Sequence, residues 1–236
     1  MNWSQLFTSS IGKKIVMSVT GLFLVSFLVV HVGVNSCVFK DAFMPDDNGD
    51  MFNRAANFMG KTVVIRLMEY VLFAGIIIHV IQGLAFEFES RAKRKQGYEV
   101  KMGNRGSKWY SRSMGLLGTL LLLFLLLHWW HFWIPARFTH QGLETPILLT
   151  NGFIGHDMFH LMKATFSEWW IVIVYILGCI SLAWHLVHGF QSAFRTLGLH
   201  NKKYLNMVNA FGIGFSIIVP LLFALMPLSF KMGWIG

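Results

Sequence analysis

The sequence predicts an all-α integral membrane bundle of five transmembrane helices, folded as one domain over residues 1–236. Three observations predict it. Hydrophobic residues make up 55% of the 236 and charged residues 13%, with a mean hydropathy of +0.54. That charged share is about half the share usual in a soluble domain. Five apolar runs each reach the roughly 20 residues needed to cross a bilayer. The basic residues gather in alternate linkers, as they do in multi-pass proteins.

The spans follow in order. Span 1 covers about residues 14–37, after Lys13 and Lys14. It is too long for the apolar core of a signal peptide and lacks a small-x-small cleavage site. The stretch Val34-Asn35-Ser36-Cys37 is a poor lipoprotein box, because Asn35 fits it badly. Span 2 covers 63–86, with Arg66 and Glu69 near its start. Span 3 covers 114–134, and Pro135 is expected to end it. Span 4 covers 169–194. Span 5 covers 204–230, with Pro220 inside and Pro227 near its end.

Charge sets the expected orientation. With the N-terminus in the cytoplasm, thirteen basic residues fall inside: Lys13, Lys14, Arg91, Lys93, Arg94, Lys95, Lys101, Arg105, Lys108, Arg112, Arg195, Lys202 and Lys203. Seven fall outside, together with most of the acids, including Asp41, Asp46, Asp47 and Asp50. The positive-inside rule therefore predicts an N-in, C-out chain in the cytoplasmic (inner) membrane of a bacterium. The net charge of +9 is accounted for by this topology, so no nucleic-acid partner is expected. Cys37 and Cys179 lie in or beside apolar runs and read as small buried side chains, not as a disulfide or a metal site.

Six of the ten histidines lie in the spans: His31, His79, His128, His131, His185 and His188. One such residue alone reads as polar glue between helices. Four spans that each contribute histidine point instead to a functional site, since ionisable groups in hydrocarbon are costly. Depth sorts them. Spans 1 and 3 run outward and carry His31 and His128 near their outer ends. Spans 2 and 4 run inward and carry His79 and His185 in their inner halves. Two layers result, roughly 10–15 Å apart at the helical rise of 1.5 Å per residue. Neutral imidazole is a natural haem ligand, and bundle cores are where such cofactors sit, so the layers suit two b-type haems.

An internal repeat selects among neighbouring histidines. Gly21 precedes His31 by ten residues, and Gly118 precedes His128 by ten. Gly83 follows His79 by four, and Gly189 follows His185 by four, on the same helix face. A glycine there removes a Cβ and lets a flat macrocycle or a neighbouring helix approach. His131 and His188 lie three residues beyond His128 and His185 and stay open as alternative ligands, but they break the glycine spacing.

The chain resembles the five-helix, dihaem cytochrome b membrane subunit of succinate dehydrogenase and fumarate reductase complexes. The resemblance is carried by Thr20-Gly21 with His31, by Leu67-Met68-Glu69 with His79 and Gly83, and by Gly118 with His128. Tyr175 and Gly178 through His185, Gly189 and Phe194 carry it too, as does the Phe52-Asn53-Arg54-Ala55-Ala56-Asn57-Phe58-Met59 stretch. It covers essentially the whole chain, through the order and spacing of motifs that are individually weak. It implies an outer haem on His31 and His128 and an inner haem on His79 and His185. It implies a flavoprotein with covalent FAD and an iron–sulfur subunit as cytoplasmic partners, and a quinone, menaquinone in dihaem members, as redox partner. No succinate site is expected here, because the chain has neither a dinucleotide fold nor a cysteine cluster.

Glu69 is the candidate proton-accepting group of a quinone site; its alternative is a helix-end carboxylate paired with Arg66. Arg91, Ser192 and Arg195 are the first candidates to face the inner haem's propionates. His140, His156 and His160 fall on the outer side. His156 and His160 have the i, i+4 spacing of a helical zinc site, without an evident third ligand, so a solvated amphipathic segment is the simpler reading. Two other functions compete. One is the cytochrome b subunit of a hydrogenase-type or formate dehydrogenase-type enzyme. The other is a transporter using histidine relays, which would require broken helices.

Overall fold

The computed structural model describes residues 9–93, 109, 113–198 and 201–236, without the side chains of residues 45, 93, 202 and 203. Arg94, Lys95, Lys101, Arg105, Lys108 and Arg112 of the basic linker lie outside the described residues.

Helix α1 spans Ser10–Asn35 and starts where the Ser9 hydroxyl accepts from the Gly12 amide at 3.0 Å. This is an ordinary N-cap, satisfying one of the amides that a helix start leaves unpaired. Short helical turns then carry the chain through Phe43. Helix α2 spans Asp50–Lys61 and α3 spans Val63–Lys93. The second span thus runs beyond the expected residue 86, and a 2.6 Å Glu87–Arg91 pair bridges one turn of the extension.

Helix α4 spans Met114–His128 and does not stop before Pro135. Two wide π-helical stretches, Trp129–Trp133 and Pro135–Thr139, carry it past the proline. Proline has no N–H to give to an i−4 carbonyl. The wide turns move the pairing to i−5: the Ile134 amide reaches the Trp129 carbonyl, and the His140 amide reaches the Pro135 carbonyl. Helix α5 spans Met158–Thr165, α6 spans Trp169–Thr196 and α7 spans Lys202–Met232. Pro220 and Pro227 both lie within α7, which continues through them.

Helices α1, α3, α4, α6 and α7 are each long and apolar enough to cross a membrane, as expected. Their outer faces suit lipid: Leu67, Val71, Leu123, Ile173 and Ile217 are all exposed. These five form the bundle. Helix α1 packs on α3 and on α6, α4 packs on α6, and α7 lies along α6. Helices α3 and α4 meet mainly through large side chains, with Phe73 against Trp129 and Trp133. The result is a ring of α1, α3, α4 and α6 with α7 outside it. Diagonal neighbours, α1 with α4 and α3 with α6, form no extensive helix contact among the described residues.

A small cap closes the end of the bundle opposite the N-terminus. It contains α2, α5 and a two-residue hairpin, β1 Ile147–Leu148 with β2 Ile154–Gly155, in which Ile147 faces Gly155. Fully buried Asn53 ties it together. Its amide donates to Asp157 at 2.9 Å, and its oxygen accepts from the Phe159 amide at 2.9 Å. The buried core, including Val38, Phe52, Phe159, Phe166, Val172 and Phe230, joins this cap to α6 and α7.

Candidate functional site

The ring of four helices encloses a cavity of about 2170 Å³ that runs most of the length of the bundle. Protein interiors are close-packed with few voids, and an ordinary ligand pocket measures about 300–1000 Å³. Its walls are mostly apolar, and His31, His79, His128 and His185 all line it.

The four histidines meet across the two diagonals. His31 of α1 faces His128 of α4, with ring centroids 5.8 Å apart and planes at 88°. His79 of α3 faces His185 of α6, with centroids 6.3 Å apart and planes at 66°. Two imidazoles bonded to one metal at about 2 Å each hold their centroids roughly 6 Å apart. Both separations suit that arrangement, and the angle between the planes is free in it.

The ring nitrogens differ in what they face. Among the described residues, no partner sits on the Nε2 of any of the four rings, so that nitrogen is free to ligate on each. The Nδ1 atoms of His128 and His185 are buried without a hydrogen-bond partner, and ligation through Nε2 leaves them so. The other two rings are oriented by their own helix pair. The Thr20 hydroxyl donates to the Val16 carbonyl at 2.8 Å, and its oxygen lies 3.1 Å from His79 Nδ1. Thr20 thereby accepts the Nδ1 proton and leaves Nε2 free toward His185. The Asn35 amide donates to the His31 carbonyl at 2.8 Å and lies 3.3 Å from His31 Nδ1. The Thr20 contact is the kind that fixes a ligating ring and tunes its basicity; the Asn35 NH2 can only donate and gives the His31 Nδ1 proton no acceptor. The residues present therefore fit two bis-imidazole haems, one per diagonal.

The repeated glycines sit differently from the expectation. A Cβ on Gly21 would stand 3.4 Å from His79 Cε1, and one on Gly118 would stand 3.9 Å from His185 Cε1. Each thus adjoins a histidine of the other layer, ten residues along the helix from its own. That contact also gives the layer spacing, roughly 15 Å along the axis. Gly83 and Gly189 line the cavity, and a Cβ on Gly189 would meet nothing within 4 Å.

The alternative ligands part company with their neighbours. His131 Nδ1 lies 3.0 Å from the Tyr175 hydroxyl, and the two rings stack at 5.8 Å. His188 lines the cavity where it nears the N-terminal end of the bundle. Neither ring stands opposite His31 or His79 in the way His128 and His185 do.

Glu69 lies at the cap end of the cavity wall, and its partner is not Arg66. It accepts from Arg137 Nη2 at 2.8 Å and from Trp133 Nε1 at 2.5 Å, while Arg137 also donates to the Gly60 carbonyl at 3.2 Å. Arg66 is exposed. Trp133 and Arg137 come from the π-helical end of α4, some 65 residues along the chain, so Glu69's neighbours in sequence gave no hint of them. Their spacing of four is the signal that was there to read. Arg91 is occupied by Glu87, Ser192 lines both the large cavity and a second, smaller pocket, and Arg195 lines the smaller one alone.

The zinc spacing is not realised on a helix. His156 precedes α5, stacks on His140 at 5.2 Å and turns its Nδ1 toward the Leu143 carbonyl; His160 is exposed. Among the described residues, no group of three or more histidines, cysteines or acids is placed to hold a bare metal ion. Cys37 and Cys179 are both free thiols. Comparison with known families, with curated proteins and with solved structures finds no match to the chain.

Proposed function

We propose that this chain is the dihaem cytochrome b membrane subunit of a succinate dehydrogenase or fumarate reductase complex, carrying electrons between an iron–sulfur subunit and a quinone. The observation that carries the reading is the pair of cross-diagonal histidine contacts, His31 with His128 and His79 with His185. Haem iron held between two neutral imidazoles supplies one-electron chemistry.

The chain's own residues do the rest. The two histidine pairs, about 15 Å apart along the bundle, would each hold one haem. Thr20 holds the His79 tautomer. Apolar walls keep water from both centres. The N-terminal end faces the cytoplasm in this reading and receives the flavoprotein and iron–sulfur partners, whose cofactors are FAD and iron–sulfur clusters. Quinone, menaquinone by the resemblance, is bound near the opposite end, where Glu69 takes or gives the proton that accompanies electron transfer. Its clasp by Arg137 and Trp133 also supports a second role, as a tie between α3 and α4. The transporter reading requires an interrupted helix at a substrate site. The proline-bearing α7 is continuous and lies outside the histidine ring, and α4 passes Pro135 in π-helical turns without unwinding.

The test is isolation of the intact complex from native membranes under mild detergent. Copurification of a subunit with covalently bound FAD, and reduction of the b-type absorbance by succinate, are the expected results. A nickel or molybdenum subunit in their place, with hydrogen or formate as reductant, would overturn the assignment of partners while leaving the haems in place.

A further inference from the structure

At the N-terminal end of the bundle, a second pocket of about 440 Å³ opens between the first turns of α1 and the last turns of α6. Its cationic walls are Lys14 and Arg195, its polar walls are Gln191, Ser192, Thr196 and His188, and its apolar walls are Ile11 and Ile15; Lys14, His188, Ser192 and Thr196 also border the large cavity. Among the described residues, no carboxylate lines it. Lys14 and Arg195 are both exposed, and neither side chain has an ion-pair partner among the described residues.

The acids at this end are already engaged, Glu89 with Lys13 and Glu87 with Arg91. The sequence beyond the described residues does not redress the balance. Residues 1–8 carry no acid, and residues 94–112 carry Glu99 against six basic residues. Among the described residues, the chain supplies no counter-charge to Lys14 and Arg195.

Depth and shape identify its chemistry. Lys14 lies about one turn inside the α1 span, and Arg195 is the penultimate residue of the α6 span. Both stand where a bilayer places its headgroups. Ile11 and Ile15 continue the pocket as an apolar surface that an acyl chain can follow. A flat acidic protein face would neutralise the charges but would not fill a recess of this kind. Basic recesses between helix ends are suited to anionic headgroups.

We propose that this pocket is a binding site for the phosphate headgroup of an anionic phospholipid, with Lys14 and Arg195 as its charge partners and Ser192 and Gln191 as hydrogen-bond donors. The proposal does not depend on the haem assignment.

The experiment is native mass spectrometry of the full chain, released from nanodiscs of phosphatidylglycerol and phosphatidylcholine in equal parts. The wild type retains a phosphatidylglycerol molecule in preference to phosphatidylcholine. A Lys14→Gln/Arg195→Gln double variant binds it about thirty-fold more weakly, the loss of two basic contacts at a charged surface. Lys14→Arg/Arg195→Lys retains the lipid, as does Lys163→Gln at the other end of the bundle, which separates loss of charge from loss of fold. Equal retention by the wild type and the double variant would overturn the proposal. So would unchanged lipid retention with an altered haem spectrum or potential, which would assign the pocket to a cofactor carboxylate.

Discussion

His79 and His185 stand opposite one another, yet their surroundings differ. Thr20 gives the His79 Nδ1 proton an acceptor at 3.1 Å, whereas the Nδ1 of His185 is buried without one. A hydrogen-bonded imidazole is the more basic ligand and stabilises the oxidised metal. Thr20→Val is therefore expected to leave the inner haem bound but to raise its midpoint potential in a spectroelectrochemical titration, with the outer haem unmoved. Glu69→Gln is expected to keep haem content intact. If Glu69 handles protons, quinol turnover falls by about 10²–10⁴. If the residue only ties α3 to α4, turnover holds, and the variant unfolds more readily by about 1–3 kcal/mol through loss of charge-assisted hydrogen bonds. At this scale the sequence singled out the histidines that face one another across the bundle, because ionisable rings in apolar runs stand out. It did not show that Glu69 faces Arg137, since that contact depends on how the α3 surface meets the wide end of α4.

Among the elements, the spans were legible from apolar length alone, but their ends were not. The Pro135 stop failed because π-helical turns bypass the missing donor. The cap helices α2 and α5 are short and mix polar with apolar residues, so they resembled solvated linker until Asn53 and Asp157 were seen to join them. Packing between elements gives a contrast between glycines. A Cβ on Gly178 would stand 2.6 Å from Phe124 of α4, whereas one on Gly33 would meet nothing within 4 Å. Gly178→Ala should therefore lower stability by about 1–3 kcal/mol, and Gly33→Ala should not lower it, as read by unfolding in detergent.

The cap has its own acid dependence. Burial works against the charge of Asp50, but it is outweighed by hydrogen bonds from the Thr150 hydroxyl and amide and by the Arg54 and Lys40 charges. The Asp50 carboxyl is therefore held below the ordinary aspartate value of 3.8. A group depressed by folding contributes stability above its unfolded pKa, and that contribution is lost as pH falls through the folded value. Protection of the Thr150 amide from hydrogen exchange should hold at neutral pH and fall only below about pH 4. In Asp50→Asn it should be lower throughout and insensitive over that range.

Four of the five spans form a ring in which the facing histidines come from diagonal, not adjacent, helices. The pair nearer the cap bridges α1 to α4, and the pair nearer the N-terminal end bridges α3 to α6. In each case, helices with no extensive contact are joined only through their side chains. The layers could be read in the sequence from the alternating direction of the spans. The diagonal arrangement could not, because it depends on which helix faces pack, and α7 had to be placed outside the ring to leave the centre open. The same geometry makes the glycines of one layer the neighbours of the other layer's histidines, a relation that spacing along one helix cannot reveal.

The most direct measurement is the haem content and the reduced-minus-oxidised spectrum of the purified chain, beside four single variants. The wild type should hold two low-spin b-type haems. His31→Ala and His128→Ala should each remove the same one, and His79→Ala and His185→Ala should each remove the other. A chain that binds no haem, or variants in which His31 and His79 share the loss of one centre, would contradict the account.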